Sequence, residues 1–105
     1  MFNNAMEQDF REGLQGDENI VLIDVRTEGE HRMGHIPNSL LLDIFRPDFI
    51  QQIEQMDRNK KYFIYCRSGA RSANACSVMA QMGFTDLTNL FGGVLDWRGE
   101  LVSMA

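Results

Sequence analysis

One segment of the chain combines a nucleophilic side chain with small and cationic residues at close spacing. Cys66 follows the apolar run Tyr62–Tyr65 and precedes Arg67, three small residues and Arg71. The small residues allow the backbone to turn tightly, and the glycine among them adopts positive φ at no steric cost; they are Ser68, Gly69 and Ala70. The pattern predicts a cysteine at the end of a strand, a short loop, and a helix that begins near residue 70.

This arrangement predicts a reactive thiolate. We expect the successive N–H groups from Arg67 to Arg71 to turn inward as an anion-binding nest at a helix N-terminus. The partial positive charge of the helix, together with the two arginines, should lower the pKa of Cys66. A thiolate surrounded by N–H donors attacks an electrophilic centre, and the same donors then hold the anionic product.

The spacing within the loop limits the classes of enzyme to which the chain could belong. Four residues separate Cys66 from Arg71. Protein tyrosine phosphatases and the related dual-specificity enzymes have a Cys-x5-Arg pattern, with one more residue to surround a phosphate or arsenate. The shorter loop therefore disfavours a phosphatase or an arsenate reductase.

The loop resembles the CRxGxR loop of the rhodanese (sulfurtransferase) family. Two other signatures of that family are present in the same order along nearly the whole chain. The first is Leu22–Arg26 followed by Glu30 and Gly34–Pro37, and the second is Leu90, Gly92, Gly93 and Trp97. The resemblance implies an α/β fold of three layers, a mostly parallel sheet with helices on both faces. Two departures, His31 in place of an aromatic residue and Asn38-Ser39 in place of Gly-Ala, lie outside the cysteine loop.

The resemblance also implies a reaction in two halves. Cys66 attacks the outer sulfur of thiosulfate or a similar donor, and the resulting persulfide passes that sulfur to cyanide or a thiol. The implied substrate-binding residues are Arg67, Ser68, Gly69, Ala70 and Arg71. We expect Arg67 to bind the anionic donor, whereas Arg71 either binds it or braces the loop. The expected partners are small sulfur-containing anions and a thiol or protein sulfur acceptor, with no metal and no organic cofactor.

Three other interpretations remain open at this point. The first is a persulfide carrier that hands its sulfur to a protein in a relay. The second is a non-catalytic interaction module of the same fold, which the intact cysteine loop disfavours. The third is an inert cysteine at the end of a buried strand, which the neighbouring glycine and arginines disfavour.

The polar residues outside the loop have structural interpretations. We expect Asp24 and Arg26 to pair near the loop, and Glu30 to cap its helix. We also expect His35 to be a hydrogen-bonded structural residue and His31 to be a solvated one.

The apolar pattern places these residues on alternating strands and helices. The predicted strands are Ile20–Val25, Ser39–Ile44, Tyr62–Tyr65 and Leu87–Leu90. Helices are predicted near residues 4–16, 27–34, 47–56 and 70–83. Such alternation predicts a mostly parallel sheet, whose carboxyl edge carries the ligand site.

Two local signals concern the helix starts. Asn4 and Glu7 have the spacing of a capping box, as do Thr27 and Glu30. In the first predicted helix, one face carries Met6, Phe10 and Leu14. We expect this face, including Met6, to point inward.

Composition limits the remaining classes of function. The 105 residues form a single predicted domain (1–105), with 15 acidic and 10 basic residues and a net charge of −5. That charge argues against binding nucleic acid or an anionic membrane through a basic surface.

We find no stretch long enough to span a bilayer and no secretory or transit pattern at the N-terminus. With two cysteines, Cys66 and Cys76, and no CxxC, we expect free thiols in the cytoplasm and no zinc site; Cys76 is expected to pack in the core.

Overall fold

The structure is a computed structural model that describes residues 1–104. Five parallel strands form one sheet in the order β1-β5-β4-β2-β3. The strands are β1 Asn3–Ala5, β2 Val21–Asp24, β3 Leu40–Leu41, β4 Tyr62–Tyr65 and β5 Leu87–Leu90. The helices are α1 Glu7–Gly16, α2 Glu28–Met33, α3 Phe49–Glu54 and α4 Ala70–Gln81, followed by a 3-10 turn at Val94–Asp96.

Both faces of the sheet are covered, as the apolar runs in the strands predict. Successive residues of a strand point to opposite faces, so each fully buried strand contributes side chains to two cores, one on each face of the sheet. One core joins Ile23 and Ile64 of the sheet to α3 and α4, through residues such as Ile53 and Met79. The other joins Leu22, Phe63 and Tyr65 to Phe10 of α1. The three-layer architecture with a mostly parallel sheet is therefore confirmed.

The N-terminal strand β1 was not predicted, and the capping box at Asn4 is wrong. Residues 3–5 pair with β5, and the Asn4 side chain accepts a hydrogen bond from Asn89 Nδ2 at 3.0 Å. Helix α1 instead begins after Met6, which makes no side-chain cap and is 60% exposed. A polar edge strand this short has no hydrophobic alternation of its own, so only its partner strand reveals it.

The second apolar run also differs from the prediction. Only Leu40–Leu41 of residues 39–44 forms a strand, at the edge of the sheet. Beyond it the backbone still follows β2, because Leu42 N–H donates to Asp24 O and Ile44 N–H donates to Val25 O. Residues 42–44, which follow this short strand, belong to the segment that leads to α3.

The other elements agree with the predicted pattern. The capping box at Thr27 is present, with the Glu30 N–H donating to Thr27 Oγ1 and the Thr27 N–H donating to the Glu30 carboxylate. Strand β4 is central, between β5 and β2, and all four of its residues are buried. The segment after β4 therefore lies at the carboxyl edge of the sheet, between two neighbouring strands. None of the helices in residues 1–104 is long and apolar enough to cross a membrane.

Candidate active site

The sulfur of Cys66 lies among hydrogen-bond donors at the start of α4. The Gly69 N–H donates to Sγ at 3.1 Å, and the Ser72 N–H donates at 3.4 Å. The Ser72 hydroxyl lies 3.3 Å from the same sulfur. The first N–H groups of a helix have no partner within the helix, so they are available to a negative charge. The sulfur therefore lies in a nest of donors, in which Gly69 belongs to the predicted range 67–71 and Ser72 lies just beyond it.

The pKa of Cys66 is lowered from its ordinary value. Burial of the thiol raises its pKa, but hydrogen bonds from the Ser72 hydroxyl and from the N–H groups of Ser72, Gly69 and Ser68 lower it by more. The direction agrees with the prediction, whereas the largest favourable contributions come from hydrogen bonds and not from the arginine charges. Sequence reasoning missed Ser72. Its place in the first turn of a helix that follows a cysteine loop was the available signal.

Two glycines allow the backbone to close around the sulfur. Gly69 has φ +103°, and a Cβ there would collide with the carbonyl oxygen of Phe91. Gly93 has φ +69°, and a Cβ there would collide with the carbonyl group of Arg67. Only glycine combines positive φ with so close an approach of two chain segments. The family signature residues of the cysteine loop and of the C-terminal turn thus meet in one packed unit.

Arg71 is held by an ion pair. Its guanidinium makes two hydrogen bonds to the Glu30 carboxylate, at 2.7 and 2.9 Å. This pairing, chiefly the hydrogen bonds from Arg71, lowers the pKa of Glu30 to about 2. Because Glu30 also closes the capping box with Thr27, the pair connects the start of α2 to the start of α4.

Arg67 has no comparable partner. It is exposed, and its guanidinium makes no ion pair or hydrogen bond within residues 1–104. Ser68 and Ala70 are also exposed, so the loop is open to solvent around the buried sulfur. Of the five predicted loop residues, Ser68 and Gly69 direct their N–H groups to the sulfur, Arg71 is paired with Glu30, and Arg67 has no ionic partner within residues 1–104.

A buried polar network supports the carboxyl edge of the sheet beside the loop. Asp24 is fully buried and accepts hydrogen bonds from Arg26, including one at 2.8 Å from Nη2, and from Tyr65 OH at 3.1 Å. Burial raises the pKa of Asp24, but hydrogen bonds with Arg26 and His31 hold it below its usual value. Tyr65 OH also receives the Ile36 N–H, so the network fixes the loop after α2. The predicted Asp24–Arg26 pair is present and buried.

The prediction that His31 is solvated is wrong. His31 is 7% exposed, and its Nδ1 lies 2.9 Å from Asp24 Oδ2. Its ring stacks on that of His35 at a centroid distance of 3.7 Å, and His35 Nδ1 lies 2.8 Å from the His31 carbonyl oxygen. The helix turns His31 inward because the buried carboxylate of Asp24 offers it a partner. His35 is hydrogen-bonded and buried, as expected.

Cys76 is a core residue and not part of the nest. It is fully buried on α4 in the same core as Ile64 and Met79. Burial, and to a smaller extent the charge of Cys66, raise its pKa to about 12. Both cysteines are free thiols. A thiol with such a high pKa is a poor nucleophile, so Cys66 is the better candidate of the two for a nucleophile.

Comparison with known proteins agrees with this geometry. The family model for the rhodanese-like domain matches residues 7–100. The sulfurtransferase of Allochromatium vinosum is 33% identical over 97 residues, which cover 92% of this chain and 89% of that protein. YtwF of Bacillus subtilis is 38% identical over 90 residues, which cover 86% of this chain and 84% of that protein.

The fold has solved counterparts. A rhodanese-like domain protein from Staphylococcus aureus superposes with a TM-score of 0.85 at 26% sequence identity, over 99% of this chain and all of that chain. The sequence match and the fold match cover the same cysteine loop, capped helix and C-terminal turn. The chain therefore belongs to the rhodanese-like sulfurtransferase family.

Proposed function

We propose that this chain moves a sulfane sulfur from thiosulfate or a similar donor to a thiophilic acceptor, cyanide or a thiol, through a persulfide on Cys66. The observation that carries the proposal is the convergence of the Ser72 hydroxyl and the loop N–H groups on Sγ. These donors stabilise a thiolate before reaction and a persulfide anion after it. Because these hydrogen bonds lower the pKa of the thiol, the reaction needs no strong general base to remove its proton.

The two half-reactions balance without a further reactant. The Cys66 thiolate attacks the outer sulfur of thiosulfate, a new S–S bond forms, and the old S–S bond breaks with its electron pair leaving on sulfite. The acceptor then attacks the outer sulfur of the persulfide. The electron pair of that S–S bond returns to Cys66 as the thiolate, and ping-pong kinetics follow.

Each loop residue has a proposed role. Arg67 binds the anionic donor, since its guanidinium is exposed and unpaired within the described residues. Arg71 braces the loop through Glu30. Ser68, Gly69 and Ala70 contribute backbone N–H groups and the tight turn. Because the mechanism needs a free thiol, we place its action in a reducing compartment such as the cytoplasm.

Intact mass spectrometry tests the proposal directly. We expect incubation with thiosulfate to add one sulfur atom, and cyanide to remove it. Cys66→Ala should abolish the gain, whereas the matched variant Cys76→Ala should retain it because that thiol is buried in the core. Loading that survives in Cys66→Ala would contradict the assignment of the nucleophile.

The same measurement separates the alternatives. A loaded Cys66 that transfers to a protein thiol much faster than to cyanide would identify a relay carrier. If neither thiosulfate nor polysulfide adds sulfur to the folded protein, the remaining interpretation is a non-catalytic interaction module. Arg67→Ala should raise KM for thiosulfate more than for a neutral sulfane donor, and an equal effect on both would exclude its binding role.

A further inference from the structure

An apolar groove borders the Cys66 loop. It has a volume of about 470 Å³, and Arg67 lies at its border with the side chains of Met33, Leu95 and Leu101. These three apolar side chains are 85%, 61% and 47% exposed. Exposed apolar side chains grouped beside a reactive centre favour contact with an apolar group of a ligand.

The groove is attached to the loop by backbone hydrogen bonds. The Val94 N–H donates to the Cys66 carbonyl oxygen at 2.9 Å, and the Leu95 N–H donates to the Arg67 carbonyl oxygen at 3.1 Å. The opposite wall comes from the end of α2 and from the C-terminal segment, where the His35–Val102 bridge holds the chain. The position of the groove relative to the loop is therefore set by main-chain contacts.

The charges around the groove favour a ligand with one negative charge. Arg71 is neutralised by Glu30, and Arg26 is neutralised by the buried Asp24. Of these three arginines, only Arg67 lacks an ionic partner within residues 1–104. Thiosulfate has no apolar part to contact the apolar wall, whereas an organic donor with one negative charge matches both Arg67 and that wall.

We propose that the groove of Met33, Leu95 and Leu101 holds the organic part of a monoanionic sulfane donor, while Arg67 binds its negative charge. This inference rests on the proposed persulfide function of Cys66. The class of substrate is a small organic molecule with a terminal sulfane sulfur, one negative charge for Arg67 and an apolar body for the groove.

The transfer step has the same balance as with thiosulfate. With an organic thiosulfonate, the Cys66 thiolate attacks the outer sulfur and forms a new S–S bond. The bond between the outer sulfur and the sulfonyl sulfur breaks, and its electron pair leaves on the organic sulfinate. The persulfide anion remains on Cys66.

The test compares benzenethiosulfonate with methanethiosulfonate, which have the same charge and the same sulfane group. Their ratio of kcat/KM is measured in the wild-type chain and in Leu95→Ser/Leu101→Ser, so that intrinsic reactivity cancels. We expect the kcat/KM for benzenethiosulfonate, divided by that for methanethiosulfonate, to be about tenfold higher in the wild type than in the double variant, because the groove buries part of the benzene ring. Ile50→Ser is the matched control, because Ile50 is 43% exposed on α3 and does not line the groove; its ratio should equal that of the wild type.

The outcomes separate this inference from the proposed function. A fall in the ratio only in the groove variant supports the inference. An equal ratio in all three proteins, with Cys66 still loaded, overturns it and leaves the groove to a larger partner. If no donor loads Cys66, the proposed function fails and the inference with it. Thermal unfolding checks the fold, and if the double variant does not fold, Met33→Ser gives the same test at a side chain that is 85% exposed.

Discussion

The hydroxyl oxygen of Ser72 lies 3.3 Å from Cys66 Sγ and 3.2 Å from the carbonyl oxygen of Gly69. A hydroxyl group has one hydrogen, so it donates to only one of these acceptors at a time. Donation to the sulfur stabilises the thiolate, and donation to the carbonyl braces the loop. The charge on the sulfur therefore decides which hydrogen bond the hydroxyl makes.

Removal of the Ser72 hydroxyl should raise the pKa of Cys66. A hydrogen bond to a charged group contributes about 1.5–3 kcal/mol, which corresponds to roughly one to two pKa units. We expect Ser72→Ala to shift the midpoint of the pH dependence of Cys66 alkylation upward by about one unit. Ser77→Ala, at an exposed position of the same helix, is the control and should not shift it. Identical midpoints in the wild type and Ser72→Ala would contradict the assigned hydrogen bond.

The Glu30–Arg71 pair should make stability depend on pH in the acid range. The folded-state pKa of Glu30 is about 2, below its unfolded value near 4.5, so the contribution is complete above pH 4.5. It is lost as the pH falls through 4.5 toward 2, and it disappears only below pH 2, where the carboxylate is protonated in both states. We expect Glu30→Gln to lower the free energy of unfolding by about 1 kcal/mol at pH 7 and by only a small part of that at pH 2.

Glutamine is the informative substitution at this position because it can still serve in the capping box with Thr27. Urea unfolding at several pH values provides the measurement, with Glu28→Gln on the exposed side of the same helix as the control. If the difference in free energy of unfolding between the wild type and Glu30→Gln stayed constant from pH 7 to pH 2, the loss of stability would not be ionic.

An alanine at position 69 should disrupt the nest. The positive φ of Gly69 costs an alanine about 1–2 kcal/mol, and the collision with the Phe91 carbonyl adds to this cost. We expect Gly69→Ala to lower the melting temperature and to slow the loading of Cys66 together. Gly29→Ala is the control, since a Cβ at Gly29 meets nothing within 4 Å and α2 gains a better helix former. If Gly69→Ala loaded Cys66 with sulfur as fast as the wild type does, the turn would not need glycine.

Asp24 should be the most costly of the buried polar residues to alter. Its carboxylate has hydrogen bonds with Arg26, His31 and Tyr65, and removing one partner of a buried pair costs about 3–5 kcal/mol. We expect Asp24→Asn to lower the urea midpoint strongly. Asp48→Asn removes an exposed partner of Arg46 and should change that midpoint little. Similar midpoints for both variants would mean that the buried network contributes no more than a surface pair.

Local signals were sufficient wherever partners lie close together in the chain. The Cys66 loop, the capping box of Thr27 and the start of α4 depend on residues within a few positions of one another, so spacing alone indicated them. The apolar runs that contain β2 and β4 indicated a buried parallel sheet for the same reason, since strands buried on both faces are rich in consecutive apolar residues.

Long-range partners decided the rest. Strand β1 exists because β5 offers Asn3–Ala5 a partner, and nothing within those residues indicates a strand. His31 is buried because Asp24, on another element, lies within hydrogen-bond distance of its ring. The sequence by itself could not distinguish Arg67 from Arg71, since both flank the same loop.

The sequence alone indicated Cys66 as the candidate nucleophile, the glycine turn and the layered parallel fold, because these depend on residue type and short-range spacing. Only the tertiary structure decided which arginine remains available to a substrate. Glu30 lies 41 residues from Arg71 in the chain, and the pairing of β2 with β4 brings them within 2.7 Å. The charge of one arginine is thereby neutralised and that of Arg67 is not, because charge pairing depends on distances that only the folded chain defines.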